Sequence, residues 1–224
     1  MGSESQSVSF YPHVLGTVQQ KVLRQLGPLM DTQRFYLGGG TALAIHLGHR
    51  RSVDFDWFTR ERIADPLHLA QDLNDQDIVF VTGNIERGTL HGSVSGVQIS
   101  FLEYRYPLLQ PLVAWPMFGC MLASPADLAC MKLSALAQRG AKKDFVDVYA
   151  LGIKYCSLSD MLGWYQQKYA VTDLTHVLYS LAYFDDADRE RMPRMFWDSN
   201  WRTIKKTIVQ WLQDLGTSSL ARPK

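Results

Sequence analysis

Asp54 and Asp56 are the side chains of this sequence best placed to do chemistry. They stand in the run Val53-Asp54-Phe55-Asp56-Trp57-Phe58. On a strand, its alternation puts both carboxylates on one face and Val53, Phe55 and Trp57 on the other. Neighbours on one strand face are about 7 Å apart. Two carboxylates at that spacing repel unless a cation joins them, and a hard divalent ion with oxygen ligands, Mg²⁺ or Mn²⁺, suits the role. Upstream, Gly38-Gly39-Gly40 leads into Thr41 and an alanine- and leucine-rich segment that stops at Gly48. Glycines ahead of a helix leave bare N–H groups, backed by the positive end of the helix, free to face an anion. A phosphate cradle running into a metal-binding acid pair is what transfer of a nucleotide from a triphosphate requires.

The elements that must position these groups read as strand, glycine turn, short helix, basic loop and second strand over Phe35 to Phe58. Phe35-Tyr36-Leu37 is the first strand and His49-Arg50-Arg51 the basic loop. Gly39, Gly40 and Thr41 are candidate phosphate contacts, with the Thr41 hydroxyl able to cap the helix and touch phosphate together. The competing reading of Asp54 and Asp56 is a solvated strand face, and their coupling to the glycine turn speaks against it.

The string Gly-Gly-Thr-Ala-Leu-Ala, then Leu47-Gly48-His49-Arg50, then Ser52-x-Asp54-x-Asp56-x-Phe58 resembles the signature of the AbiEii/AbiGii-type nucleotidyltransferases of the polymerase-β-like superfamily, often toxins of abortive-infection systems. A second stretch, Lys132 to Arg139 and then Lys143-Asp144-Phe145-x-Asp147-x-Tyr149, resembles the same family's later lysine and helix-borne aspartate. The resemblance implies Arg50 and Ser52 as nucleotide contacts, Lys132 as a triphosphate contact and Asp144 as a catalytic acid in preference to Asp147. It also implies an NTP substrate, an acceptor such as RNA, tRNA or a protein hydroxyl, and a cognate antitoxin. The superfamily's third metal carboxylate comes from a neighbouring strand, where Glu103 is the one acid near the right place, although it shares its face with Val97, Ile99 and Phe101. A glycosyltransferase gripping a nucleotide sugar through the same acids is disfavoured by the glycine turn and Arg50-x-Ser52. A degenerate transferase fold that only binds nucleotide, or regulates, stays as the alternative.

With 224 residues, 46% hydrophobic, the chain can bury a substantial core. A net charge of +1 argues against a surface that coats nucleic acid generally, which needs many clustered cations. Cys120, Cys130 and Cys156 form no CxxC pair and read as free thiols. No apolar run approaches the roughly 20 residues of a membrane span, and the opening MGSESQSVSF has neither a basic start nor an apolar centre, so the expected location is cytoplasmic. His46, His49 and His91 show no metal spacing and read as packing or surface residues.

Residues 1–10 read as loose. A first helix runs from Pro12 to Gly27-Pro28 with Val14, Leu15, Val18, Val22 and Leu26 inward. Asp65-Pro66 starts another, Asp77 to Val81 is a short strand, and Thr89 to Glu103 is a hairpin turning at Ser95-Gly96. Prolines 107, 111 and 116 mark a connection. Ser124-Pro125-Ala126-Asp127 starts a helix that ends near Gly140, and a second begins near Lys142, where Lys143 is set to pair locally with Asp147. Ser157 to Asp160 opens a further helix, Asp173 to Phe184 gives the next, and Trp201 onward is an amphipathic last one. The expected fold is α+β: a nucleotidyltransferase-like mixed sheet with flanking helices over residues 1–118, then a helical region over 119–224 that closes the cleft.

Overall fold

The computed structural model describes residues 9–220, so most of the polar opening lies outside it. A seven-stranded mixed sheet forms the base, in the order β3-β4-β5-β2-β1-β7-β6. Its strands are β1 (Tyr36–Leu37), β2 (Phe55–Thr59), β3 (Phe80–Glu86), β4 (Thr89–Val94), β5 (Val97–Glu103), β6 (Val113–Trp115) and β7 (Cys120–Leu122). β2 pairs antiparallel with β1 and parallel with β5, which places Asp56 opposite Ser100 and Phe58 opposite Leu102. The period of two then separates the faces. Phe55, Trp57, Ile99 and Phe101 are buried on one, whereas Asp56 and Ser100 remain partly accessible on the other. Val53, expected with the inward set, is 57% exposed because the strand begins only at Phe55.

α1 (Thr17–Thr32) packs on the sheet through Val22, Leu23, Leu26 and Met30. Pro12 belongs to a separate turn, Pro12–Val14, and Val18 faces outward. The helix continues through Pro28, which it tolerates at the cost of one intrahelical hydrogen bond. α2 (Gly39–Leu47) follows β1 and is closed by Gly48 in the left-handed region. α3 (Pro66–Asp75) is capped by Asp65, which accepts from Leu67 N at 2.9 Å. The β4–β5 hairpin forms in the expected register about Ser95-Gly96.

The chain then becomes helical: α4 (Pro125–Arg139), α5 (Lys142–Lys154), α6 (Leu158–Tyr169), α7 (Thr175–Ala182), α8 (Asp185–Arg189) and α9 (Trp201–Leu220). Ser124 Oγ accepts from Asp127 N at 3.1 Å and Ser157 Oγ from Asp160 N at 3.1 Å, so the sequence's two capping signals both start helices. α4 packs against α2, α5, α6 and α7, and α9 closes over α5 and α7 with Ile204 and Ile208 fully buried. Between α8 and α9 the chain returns to the basic loop. Arg51 N donates to Arg194 O at 2.8 Å and Phe196 N to His49 O at 2.8 Å, with a bridge between Arg50 and Met195.

Candidate active site

A cavity of about 810 Å³ lies between the acid-bearing sheet face and α4, with its floor at the start of α2. Gly39, Gly40, Arg50, Ser52, Asp54, Asp56 and Lys132 all line it. Local geometry brings the glycines there. α2 begins at Gly39, two residues ahead of the Thr41 start expected, and Gly39 has φ +61°. A Cβ on Gly39 would stand 2.4 Å from Asp56 Oδ2, and one on Gly40 would stand 2.6 Å from an Arg50 guanidinium nitrogen. Backbone, acid and cation therefore meet at a distance that excludes any side chain. As first residues of a helix, Gly39, Gly40 and Thr41 have N–H groups without intrahelical acceptors. Thr41 itself is buried behind the turn: its hydroxyl lies 2.8 Å from Ser52 Oγ and donates to the Asp54 carbonyl, tying α2 to the approach of β2.

Beneath the cavity is a buried ion cluster. Asp147 is fully buried and takes both ends of Arg50, from Nε at 2.6 Å and Nη2 at 2.8 Å, together with His49 Nε2 at 2.8 Å and Lys132 Nζ at 2.7 Å. Asp144, equally buried, receives Lys132 Nζ at 3.2 Å and Arg139 Nε at 2.7 Å. Burial alone would raise the pKa of Asp147; the charges of Arg50 and Lys132 and the bonds from Arg50 and His49 overrule it and hold the carboxyl well below its usual range. His49 is pushed down by burial, so its ring is neutral at neutral pH and donates to Asp147 from Nε2. Arg50 has spent three of its five N–H donors on Asp147 and the Arg51 carbonyl. Lys132 keeps one of three. Both therefore reach the cavity held from behind and with donors to spare.

Asp56 has the opposite electrostatics. Burial raises its pKa; Lys132 opposes this and the neighbouring Asp54 adds to it. Two oxygen-rich side chains on one face, the partly buried one resisting ionisation alone, form a donor set that a hard divalent cation completes together with phosphate oxygens. Among the described residues no group of three His, Cys, Asp or Glu is gathered for a metal. Glu103 is turned away: it accepts from Ile63 N at 3.1 Å and pairs with Arg105 at 2.6 Å. Phe58, Leu102, Tyr104, Met131 and Tyr169 give the cavity an apolar and aromatic wall.

Gly39, Gly40, Arg50, Ser52, Asp54, Asp56 and Lys132 thus come together, while Thr41 and Asp144 stand one layer behind. The local Lys143–Asp147 pair does not form, because Asp147 points into the protein and Lys143 is exposed at the cavity. Sequence reasoning passed over Asp147 as the hub and His49 as its partner. The adjacency of His49 to Arg50 was the available signal, but only the packing of α2 against α5 shows that both residues meet one acid.

Among curated proteins, the chain is similar to an uncharacterised protein of Aquifex aeolicus (strain VF5), 34% identical over 200 residues that cover 88% of this chain and 97% of that one. Among solved structures it resembles MenT4, a nucleotidyltransferase toxin of Mycobacterium tuberculosis H37Rv, at 14% identity and TM-score 0.53, covering 87% of this chain and 82% of the other. The Megavirus polyadenylate synthase aligns at 14% identity and TM-score 0.47, over 62% of this chain and only 32% of its own. The family described as "Nucleotidyl transferase AbiEii toxin, Type IV TA system" matches residues 21–217, and with that span and that relative the chain belongs to the AbiEii nucleotidyltransferase toxin family.

Proposed function

We propose that this protein moves a nucleotide from an NTP to an acceptor hydroxyl, on RNA, tRNA or a protein, in a metal-dependent reaction, and that a cognate antitoxin restrains it in the cell. The observation that carries the reading is the contact between Gly39 and Asp56: the anion-facing start of α2 lies against the acid pair inside one cavity that also holds Arg50 and Lys132. In this reading the N–H groups of Gly39 and Gly40, with Arg50, Ser52 and Lys132, grip the triphosphate. Asp147 and Asp144 keep Arg50 and Lys132 aimed at it, and the base rests against Phe58 and Leu102. Asp54 and Asp56 would hold Mg²⁺ or Mn²⁺, which when bound supplies neutralisation of the charge on the phosphates and on departing pyrophosphate. The acceptor oxygen attacks the α-phosphorus in line.

Incubation with each α-labelled NTP, Mg²⁺ or Mn²⁺ and total cellular RNA and protein tests this. Label should enter an acceptor with the wild type and fall by about 10³-fold or more in Asp54→Ala and Asp56→Ala. Undiminished transfer by either variant sinks the proposal. The absence of a third gathered acid among the described residues favours one second reading, a nucleotide-binding or regulatory protein on a degenerate fold. Tight NTP binding without transfer to any acceptor would select it. Co-expression with the adjacent gene product tests the antitoxin: relief of a growth defect is the expected result.

A further inference from the structure

Resting on the transfer reading, one task has no residue yet: the attacking hydroxyl must lose a proton. The neighbouring-strand position beside Asp56 carries Ser100 instead of an acid. Ser100 in turn lies opposite His91 on β4. Asp56, Ser100 and His91 therefore form a row across three strands on the cleft face, one inter-strand step of about 4.8 Å at a time, and all three line the cavity. The row is joined by contacts. His91 Nδ1 lies 3.0 Å from Ser100 Oγ, and Ser100 is the strand neighbour of Asp56.

One tautomer of His91 leaves a base in the cavity. Ser100 Oγ has lone pairs with which to accept a hydrogen from the ring. In that tautomer Nδ1 carries the ring hydrogen and donates it to Ser100 Oγ. Nε2 is left as a bare lone pair, with no protein partner among the described residues. The other titratable groups lining the cavity are poor proton acceptors. Arg50, Arg51, Lys132, Arg139, Lys143 and Arg194 are donors when charged. Asp54 and Asp56 are assigned to the metal. Burial pushes the Tyr104 and Tyr169 phenols up, and their 2.6 Å mutual hydrogen bond occupies both.

We propose that His91 is the general base of the transfer, with Ser100 as the residue that positions it. The acceptor O–H bond breaks and its proton passes to His91 Nε2. The freed oxygen pair forms the bond to the α-phosphorus. The bond from that phosphorus to the α,β-bridging oxygen breaks, and pyrophosphate leaves with its electrons. The imidazolium then returns its proton to water.

Three measurements on the full chain decide it. In α-labelled NTP transfer to total cellular RNA and protein, His91→Ala should lose about 100-fold or more in kcat. NTP binding by titration should stay within about twofold, and added imidazole should restore part of the rate. Ser100→Ala should show a smaller loss. Nitrogen NMR of the wild type should find His91 with Nδ1 protonated. Wild-type kcat in His91→Ala, a loss of NTP binding in step with transfer, or a ring protonated at Nε2 alone would each overturn the proposal. A wild type that transfers nothing refutes the transferase reading and the base role with it, whereas normal transfer by His91→Ala refutes the base role alone.

Discussion

Asp147 and Asp127 are buried carboxylates in the helical half of this molecule, and each is matched to a lysine. Asp127 accepts from Lys168 Nζ at 2.6 Å, Ser124 Oγ at 2.7 Å and the backbone N–H groups of Leu109 and Gln110 at 3.0 and 3.3 Å. Lys168 spends a further donor on the Pro107 carbonyl, so this cluster is closed on itself and fastens the 107–110 connection to α4 and α6. Asp147 is buried as completely, yet its partners Arg50 and Lys132 line a cavity and have donors left over. Burial and pairing do not separate a strut from a working group. Surplus donors facing empty space do.

The contrast can be broken by removing each acid in turn. Asp147→Ala and Asp127→Ala should each destabilise by about 3–5 kcal/mol in denaturant melts, because each strands a buried cation. Only Asp147→Ala should also weaken NTP binding in the fraction that stays folded; equal NTP affinity in the two variants would erase the distinction. Next in size is an acid-side effect on the link between the regions. His46 joins α2 to the segment ahead of α4 through Ala123 O at 3.0 Å, and burial lowers its pKa to about 4. The unfolded chain therefore binds a proton that the folded chain refuses between about pH 6.5 and 4, so stability falls with falling pH across that window, by on the order of 3 kcal/mol. His46→Gln should flatten that limb. The Asp147 contribution, from a carboxyl held well below its usual range, should persist through this window and be lost below it as pH falls through the depressed value. The smallest change in stability should come from Lys132→Met. Arg50 and Arg139 still balance Asp147 and Asp144, so the fold should lose about 1 kcal/mol, while NTP affinity should fall about tenfold.

Much of the cavity was legible because its signals are local. The period of two around Asp54 and Asp56, the three glycines and the serine caps at 124 and 157 each act within a few residues. What sequence reasoning missed depends on partners far along the chain. β6 and β7 are three-residue strands that exist because β7 pairs with β1; their own sequence around Pro116 reads as a connection. The strand expected at 77–81 instead occupies Phe80–Glu86, pairing with β4 on either side of an irregularity at Gly83-Asn84, two residues of weak strand preference. The acidic run at 185–188 forms the short helix α8. The hub role of Asp147 and the row from Asp56 to His91 both require residues from different elements to meet, which spacing along one chain does not encode.

The return of residues 194–196 to the loop at 49–51 has a consequence for shortened versions of this protein. A chain cut at residue 192 would retain every glycine, acid and lysine discussed above and would still look intact to a motif search. It would have lost the clasp that steadies the backbone bearing Arg50. Trimming the tail to improve expression would also strip α9, with its fully buried Ile204 and Ile208, from α5 and α7, so a negative assay on such material would say nothing about the intact protein.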